Sequence, residues 1–517
     1  MYIADYRNDN NSRKFYDHFT HEFIAIKNES QNYVAYLCDN SANKNIVYLN
    51  RPKHIQEFAT ALANALPEIN SDLVKEAINE IGSNLDERYL LLYCMKHGVL
   101  YHHGSMTDAM RNYAEYLYRE CKEIRYIISN STLLEGVNLP AERMFLLSTR
   151  KGSGNLRPSQ FKNLIGRVNR FSEIFSSPNI ESLAKLQPEI HIIGTDKYSR
   201  ANADFHSFCE KVMRVTKKDE DEIENVLLEG AEINDKNEDD YDSAMTRLEN
   251  IERGITENFD CPVATTKVGL KLLENNISEI KIFESERQIE YVLNQFSAWN
   301  APISDSNTLM ALIYKAFVSF IEPNNTNGKK GIFRLKEEKA QTFYAMFLDW
   351  SIQQTPLPVM IQRFVKYWEG LSEYDPVYVG SWGDTNFEDG HLDYYTYMKN
   401  KTISEKINLA IVRIKEEEDF FDYVIFRFVE ILNELELLDE TFYKLAKYGT
   451  TDQSVITLIK NGFSRGLSEL LLNKYRDLIE FRKDESVWIN PAIHERLKAN
   501  SVGFLQRYEV SLNVVTN

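Results

Sequence analysis

Two short stretches of the chain carry residue types that commonly bind phosphate groups. Residues 131–141 read STLLEGVNLPA, and residues 163–170 read NLIGRVNR. Hydroxyl and backbone N–H groups at the start of a turn or helix can hold a phosphate. Two arginines three residues apart on a helix can reach one anion together. Both stretches are therefore candidates for contact with phosphate.

The first stretch places small polar residues directly after an apolar run. Ser131 and Thr132 supply hydroxyl groups to a turn or helix start. Gly136 permits a tight bend, or allows a ligand to come close to the backbone. Asn138 precedes a Leu-Pro pair, which favours an extended backbone after the turn. A plain capped turn uses the same residue types. Taken alone, the first stretch favours this simpler structure.

The second stretch adds a pair of cations. Arg167 and Arg170 would share one face of a helix, and Gly166 would keep the backbone close to whatever they approach. Paired arginines on a surface helix usually lie in water, which is the simpler interpretation. The two stretches occur in this order with a predicted strand between them, and this combination favours a phosphate-binding role.

The elements that must position these residues alternate between strands and helices over residues 1–215. Apolar runs predict strands at 45–49, 99–102, 125–129, 144–148 and 189–194. Helical patterns predict helices at 52–66, 87–97, 106–121, 159–166 and 199–215. This alternation predicts an α/β sandwich with a mostly parallel sheet, whose ligands gather at the carboxyl ends of the strands. Both stretches fall at that edge.

The charge distribution divides the chain near residue 216. The net charge is −17, but residues 1–215 contain 26 basic and 25 acidic residues, whereas residues 216–517 contain 34 basic and 52 acidic residues. Much of the acidity lies between residues 219 and 260, and such a block is typical of a solvated linker. We therefore expect an acidic linker at 216–260 and a separate domain at 261–517.

The second part of the chain has helical periodicity. Amphipathic patterns at 286–296, 309–321, 337–352, 361–371, 403–416 and 420–437 predict a mostly α-helical accessory domain. The aromatic-rich stretch 367–397 could stack nucleic-acid bases, although core packing is the preferred interpretation. Residues 458–467 predict a helix, a glycine stop, a Ser464 cap and a new helix. An ordinary corner between two helices is the preferred interpretation there.

The composition excludes several classes of protein. No apolar run is long enough for a membrane span, and residues 1–11 lack the apolar core of a secretory signal, so we expect a cytoplasmic protein. The five cysteines show no paired C-x-x-C spacing, so reduced, packed thiols are expected and a zinc or iron–sulfur site is not.

Four phrases in order resemble the second RecA-like lobe of a superfamily 2 DExH-box helicase, nearest to the superkiller-type group and the Hachiman-type helicases of phage defence. The strand and helix from Asn45 resemble the opening motif of this lobe, and 98–106 (GVLYHHGSM) resembles its strand ending in a double histidine. Residues 131–141 resemble motif V and 163–170 resemble motif VI. Asn163 replaces the usual Gln, and Asn169 replaces the usual Gly, although both arginines are present.

The resemblance implies a role for each arginine and for the residues around the nucleotide. Arg170 would be the arginine finger that neutralises charge on the transferring phosphoryl group, with Arg167 beside it. Gly136 and Asn138 would approach the nucleotide from motif V, with Gly166 close by in motif VI. ATP would therefore be the cofactor, together with Mg²⁺.

The resemblance also implies a nucleic-acid surface. Ser131 and Thr132 would touch the backbone of DNA or RNA, and His102 and His103 would lie near it. A buried, hydrogen-bonded histidine is an equal alternative for either one. A metal role for the pair is disfavoured, because adjacent strand residues point to opposite faces.

A motor of this type also needs a first lobe with G-x-x-x-x-G-K-[ST] and an acidic pair after an apolar strand. The 517 residues contain neither feature. We therefore expect residues 1–44 to be an inter-lobe linker and lead-in, and residues 45–215 to be the C-terminal RecA-like domain. ATP and Mg²⁺ would be bound mainly by a first lobe from another protein or a missing segment. No ATP hydrolysis is expected of the chain alone.

Two functions remain open from the sequence. In the first, the chain is the C-terminal half of an ATP-dependent nucleic-acid helicase or translocase, and the resemblance implies a setting in anti-phage defence. In the second, it is a non-catalytic nucleic-acid-binding or scaffolding remnant of a helicase. The two arginines of motif VI favour the first, because a remnant has no chemical use for a finger.

Overall fold

The structure is a computed structural model that describes residues 1–131, 139–168, 188–213, 264–321, 331–385 and 394–514. An eight-stranded mixed sheet flanked by helices occupies the first part of the chain, and a mostly helical region follows it. The predicted fold class, an α/β sandwich followed by a helical accessory region, is confirmed.

The eight strands of the main sheet lie in the order β3-β2-β1-β10-β7-β4-β6-β5. A separate two-stranded hairpin, β8–β9, lies between β7 and the next helix. The strands are β1 (Tyr2–Asp5), β2 (Ser12–Asp17), β3 (Glu22–Ile26), β4 (Asn45–Tyr48), β5 (Val99–His102), β6 (Tyr126–Ser129), β7 (Arg143–Leu146), β8 (Arg150–Lys151), β9 (Gly154–Asn155) and β10 (Glu189–Gly194).

The predicted strands at 45–49, 99–102, 125–129, 144–148 and 189–194 all exist and pair in parallel. Residues 1–44, expected as a linker, also contribute to the sheet. Strand β1 pairs in parallel with β10, and β2 and β3 continue the sheet in antiparallel register. Strand β3 reads EFIAI, but four of its five residues are exposed at the edge of the sheet, so its apolar residues do not mark a buried strand.

Helices cover the faces of this sheet. They are α1 (Tyr33–Asp39), α2 (Pro52–Asn64), α3 (Asp72–Asn84), α4 (Leu90–Lys96), α5 (Asp108–Glu120), α6 (Pro158–Ile165) and α7 (Phe205–Met213). Helix α5 illustrates how the sequence specifies them. Thr107 caps it by accepting the N–H of Met110, and Met110, Tyr113, Ala114 and Leu117 form its buried stripe.

The later part of the chain contains further helices and two short hairpins. The helices are α8 (Lys267–Glu274), α9 (Ile282–Trp299), α10 (Ser306–Ala316), α11 (Glu338–Ile352), α12 (Leu357–Glu369), α13 (Ile403–Phe420), α14 (Phe426–Glu434), α15 (Glu440–Tyr448), α16 (Gln453–Lys460), α17 (Arg465–Tyr475), α18 (Ile493–Ala499) and α19 (Phe504–Asn513). The hairpins pair β11 (Pro376–Tyr378) with β12 (Tyr395–Tyr397), and β13 (Ile479–Phe481) with β14 (Val487–Ile489). None of the described helices is both long and apolar enough to cross a bilayer.

The apolar interior forms three clusters, and they do not follow the predicted boundary at residue 261. The first cluster joins the sheet and its helices to side chains of α12 and α13, such as Ile361 and Ile411. A second cluster unites helices α8–α11 with α14 and α15. A third cluster holds the segment from Leu458 to Val514. Part of the helical region is therefore continuous with the core of the sheet.

The structure gives the outcome of two local predictions in the helical region. The corner at 458–467 is as predicted: α16 ends before Gly462, which has a φ of +91°, and Ser464 caps α17 by accepting the N–H of Leu467. In the aromatic stretch, Trp368 and Trp382 are buried in the core, whereas Tyr374 is 79% exposed. Core packing thus accounts for the two tryptophans.

Candidate nucleotide and nucleic-acid site

The residues singled out from the sequence follow strands that end at one level of the sheet. Strand β4 lies between β6 and β7, and Tyr48 is in register with both Ser129 and Leu146. On the far side of β7, Leu146 is in register with Ile192 of β10. Because all these strands are parallel, the loops after them meet at one edge. This edge is where ligands bind in open α/β sheets.

The first sequence stretch begins at this edge. Ser129 ends β6 in the interior, and its carbonyl group accepts the N–H of Leu49. Ser131 follows two residues later and is half-buried. At the far end of the stretch, Leu139 and Ala141 return to the core. Three other predicted site residues of this stretch, Thr132, Gly136 and Asn138, lie outside the described residues.

The second stretch lies at the end of α6. Phe161 and Leu164 anchor that helix in the core. Gly166 follows the last helical residue, is exposed, and donates its N–H to the carbonyl of Lys162 at 2.9 Å. The side chain of Arg167 is buried, with 5% of the residue exposed. Its predicted partner Arg170 lies outside the described residues, so a shared anion contact of the two arginines stays a prediction.

The two histidines at the end of β5 are both in the interior. His102 is 2% exposed, and its Nε2 lies 2.9 Å from a carboxylate oxygen of Glu115. Ser129 Oγ lies 3.5 Å from His102 Nδ1, which ties the ends of β5 and β6 together. This is the buried, hydrogen-bonded arrangement that the sequence left as the alternative.

His103 is fully buried and bonded to a neighbouring helix. Its Nε2 accepts a hydrogen bond of 2.9 Å from the Gln56 side chain, so the neutral ring carries its proton on Nδ1. The ring stacks parallel to Tyr101 and packs against Trp382. Burial lowers the pKa of His103 to about 3, and the neighbouring His102 and Arg111 act in the same direction. His103 is therefore neutral at physiological pH.

A cavity at the carboxyl ends of β7 and β10 was not predicted. It has a volume of about 560 Å³. Its lining includes Arg150 and Asn155 from the β8–β9 hairpin, Arg157 before α6, and Arg200 from the loop after β10. Each of these residues lies shortly after a predicted strand, and that proximity is the one signal in the sequence that points to them.

Metal-binding side chains do not cluster in the described part of the chain. No group of three or more His, Cys, Asp or Glu side chains there is arranged to hold a metal ion. The described cysteines Cys38, Cys94, Cys121 and Cys209 are all free thiols.

Comparison with known proteins identifies a helicase-related region. No family model matches the chain. A protein named Helicase POLQ-like from Caenorhabditis elegans is 28% identical over 137 residues, which is 25% of this chain and 14% of that protein. ATP-dependent DNA helicase Hel308 from Thermoplasma volcanium is 26% identical over 129 residues, which is 24% of this chain and 18% of that protein.

A third relative matches a shorter segment. DNA polymerase theta from Caenorhabditis elegans is 38% identical over 73 residues, which is 14% of this chain and 4% of that protein. In each of these three comparisons the match spans less than a fifth of the relative. The similarity therefore shows that the chain contains a region related to helicases.

Proposed function

We propose that this chain is the C-terminal half of an ATP-dependent nucleic-acid helicase or translocase. The observation that carries the proposal is the position of the two motif-like stretches in the sheet. The stretch at 131–141 follows β6, and the stretch at 163–170 ends α6, the helix that follows β7 and its hairpin. Strands β6 and β7 flank β4 and end at the same level, so the first stretch and the segment that leads into α6 start from one edge.

The roles proposed for the arginines follow from this placement and from the motif. Arg170 acts as the arginine finger, and Arg167 lies beside it. The burial of Arg167 supports a role in a water-poor environment, where a guanidinium group stabilises developing charge more strongly than in bulk water. Gly136, Asn138 and Gly166 bring the backbone close to the nucleotide.

The nucleic-acid grip is proposed at the ends of β5 and β6. Ser131 and Thr132 contact the backbone of DNA or RNA directly. Because His102 and His103 are buried, their proposed contribution is to fix the shape of this edge. His102 contacts Glu115 and Ser129. The contact with Ser129 holds the end of β6, from which the chain continues to Ser131.

ATP and Mg²⁺ are proposed to be bound mainly by a lobe that carries a phosphate-binding loop and an acidic pair. The sequence contains no G-x-x-x-x-G-K-[ST], and the described residues offer no cluster of metal ligands. A protein partner, or another segment of the same polypeptide, would supply this lobe. The resemblance to Hachiman-type helicases makes anti-phage defence the proposed setting.

The proposal is tested by restoring the first lobe. Neighbouring coding sequence is searched for a protein or segment with G-x-x-x-x-G-K-[ST] and Asp-Glu-x-His, and both pieces are produced together. We expect ATPase activity that nucleic acid stimulates, and we expect Arg170→Ala to lower it by about 10³–10⁵-fold. Lys162→Ala removes an exposed cation from α6 and serves as the control.

The outcomes separate the two functions that the sequence left open. Normal stimulated ATPase activity in the Arg170→Ala complex would rule out the finger. A complex that binds nucleic acid but never hydrolyses ATP would instead favour the non-catalytic scaffolding remnant.

A further inference from the structure

We propose that the cavity at the carboxyl ends of β7 and β10 binds backbone phosphates of a nucleic-acid strand, with Arg150 and Arg200 as the principal contacts. The inference rests on the proposed nucleic-acid function and adds a contact surface that the two motif-like stretches do not include. It brings together three segments, the β8–β9 hairpin, the start of α6 and the loop after β10.

The lining of the cavity is basic. Arg150, Arg157, Arg200 and Lys211 contribute positive charge, and Asp204 is the one acidic residue in the described lining. One oxygen of the Asp204 carboxylate accepts the N–H groups of residues 206 and 207 at the start of α7. Four basic residues against one acidic residue give the described lining a net positive charge, as expected for a site that binds an anion.

Hydrogen bonds from β4 fix the hairpin that carries Arg150. The hydroxyl group of Tyr48 donates to the Arg150 carbonyl at 2.8 Å. The Asn50 side chain accepts the N–H of Gly152 at 2.8 Å and donates to its carbonyl at 2.9 Å. Gly152 has a φ of +59°, a conformation that favours glycine. The backbone at Arg150 is thus held in place before any ligand arrives.

The loop that carries Arg200 is fixed by a different residue. The Arg7 guanidinium donates to the carbonyl groups of Arg200, Ala201 and Ala203 at 3.0, 3.3 and 2.9 Å. Asp5 in turn holds Arg7 through two hydrogen bonds of 2.9 and 2.7 Å. Arg7 therefore stabilises the loop without lining the cavity, and the Arg200 side chain is left for a ligand.

Three arginines repel one another at this edge. Partial burial lowers the pKa of the Arg150 guanidinium, and the nearby charges of Arg200 and Arg51 act in the same direction. In the part of the chain that the structure describes, none of these three forms an ion pair with a carboxylate. Bringing like charges together is unfavourable, and an anion bound between them would relieve that repulsion.

A polynucleotide strand fits this arrangement better than a single small anion. The cations are spread over three segments around one open cavity, and phosphates repeat along a strand, so several can be neutralised at once with release of counterions. The neighbouring hydroxyl groups of Ser148 and Thr149 and the Asn155 amide also line the cavity. Such groups commonly complete backbone contacts to phosphate and sugar.

The test compares two double variants of the full chain with the same charge change. Arg150→Gln with Arg200→Gln removes the cavity contacts. Arg119→Gln with Arg287→Gln removes two exposed arginines from α5 and α9 and is the control. Binding of fluorescein-labelled oligo(dT) and oligo(U) is measured by anisotropy between about 50 and 200 mM salt.

We expect the cavity variant to bind about tenfold more weakly than the wild-type protein at the lower salt concentration. The slope of log affinity against log salt should fall by about 1.4, which is about 0.7 for each of two lost phosphate contacts on a single strand. The control should stay within about twofold of the wild type. Arg150→Lys with Arg200→Lys should restore most of the slope, and matching thermal transitions would show that every variant folds.

Equal affinities of the cavity and control variants would overturn the inference while leaving the nucleic-acid proposal in place. A second arm uses tripolyphosphate in thermal-shift measurements. If tripolyphosphate stabilises the wild type but not the cavity variant, and oligonucleotide binding is the same in both, the cavity binds a small polyphosphate and the strand assignment is overturned. If the wild type binds no oligonucleotide, the inference also fails, whereas the ATPase assay on the two-piece complex decides the proposed function separately.

Discussion

The hydroxyl group of Tyr101 donates a hydrogen bond of 3.1 Å to the side chain of Asn408, which lies 307 positions later in the chain. Tyr101 belongs to the edge strand β5 and Asn408 to helix α13, and both are buried. The Asn408 amide donates to Gln56, and Gln56 donates to His103. These paired polar groups link the sheet to the helical region through buried side chains.

Removing one member of this network should destabilise the protein by more than the loss of one average hydrogen bond. Asn408→Ala leaves the Gln56 carbonyl oxygen and the Tyr101 hydroxyl without their partner in the interior. We expect a loss of about 2–3 kcal/mol in the free energy of unfolding, measured by urea denaturation. Tyr101→Phe takes one hydrogen bond from the Asn408 carbonyl oxygen but keeps the bonds among Asn408, Gln56 and His103, so it should cost less, about 1 kcal/mol.

A double-mutant cycle gives this prediction its control. Since the two residues are in contact, the cost of the double variant should differ from the sum of the single costs by at least about 0.5 kcal/mol. Tyr423→Phe removes the hydroxyl of a residue that is 74% exposed and should change stability little. Additive single costs would contradict a coupled network.

His191 should make the protein less stable in mild acid. Burial lowers its pKa to about 4, although the Glu189 carboxylate acts in the opposite direction. The unfolded chain has the ordinary value of about 6.5. The unfolded state therefore binds the proton first as the pH falls, so stability is lost progressively below about pH 6.5 and levels off near the folded pKa.

The variant His191→Phe isolates this effect. The ring stacks between Tyr2 and Phe145, so phenylalanine keeps the packing and loses the titration. Between pH 7 and pH 5 the wild type should lose up to about 2 kcal/mol more stability than the variant. Chemical denaturation at both pH values measures the difference. Burial raises the pKa of Glu418 to about 7. This residue is present in both proteins, so its contribution to the pH dependence cancels when the two are compared. Parallel pH profiles would contradict the prediction.

Five strands of the sheet, β4, β5, β6, β7 and β10, were predictable because nearly all of their residues are buried. Strands β5 and β10 were predicted with the bounds that the structure has, since VLYH and EIHIIG read as apolar runs. The edge strand β3 was missed because residues 1–44 were assigned to a linker, although its sequence EFIAI is also apolar. The packing of α12 and α13 against the sheet was also not predicted. Periodicity shows that a helix has a buried face, but it does not show which element packs on that face.

The candidate site also has one part that could be proposed from the sequence and one part that only the fold reveals. Ser131, Gly166 and Arg167 could be proposed from the sequence because they belong to continuous motifs. The basic cavity was not found, because its parts are brought together only by the fold: Arg200 owes its position to contacts with Arg7, which lies 193 residues earlier. A single sequence contains no local signal for such a contact.

Asn50→Ala should loosen the hairpin that carries Arg150. The substitution removes both hydrogen bonds to Gly152, and each is worth about 1 kcal/mol when partly exposed. Amide hydrogen exchange at residues 150–155 should therefore quicken about tenfold, with little change in global stability. Asn43→Ala, at an exposed position in the preceding loop, is the control. Unchanged exchange in this segment would show that Asn50 does not fix the hairpin.

Loss of the Glu417 carboxylate should strongly destabilise the helical region. The residue is 3% exposed, accepts hydrogen bonds from Arg334 at 3.1 Å and from the Tyr344 hydroxyl at 2.5 Å, and is also bonded to Arg413. Glu417→Ala leaves two partly buried guanidinium groups without this shared counter-charge, and we expect a loss of about 3–5 kcal/mol in the free energy of unfolding.

Glu373→Ala, at an exposed position, should change stability by less than about 0.5 kcal/mol. Glu417→Gln keeps the volume and part of the hydrogen bonding, so it should fall between the two. Equal stability of all three variants in urea denaturation would show that the arginines find other partners and that Glu417 does not hold this part of the fold together.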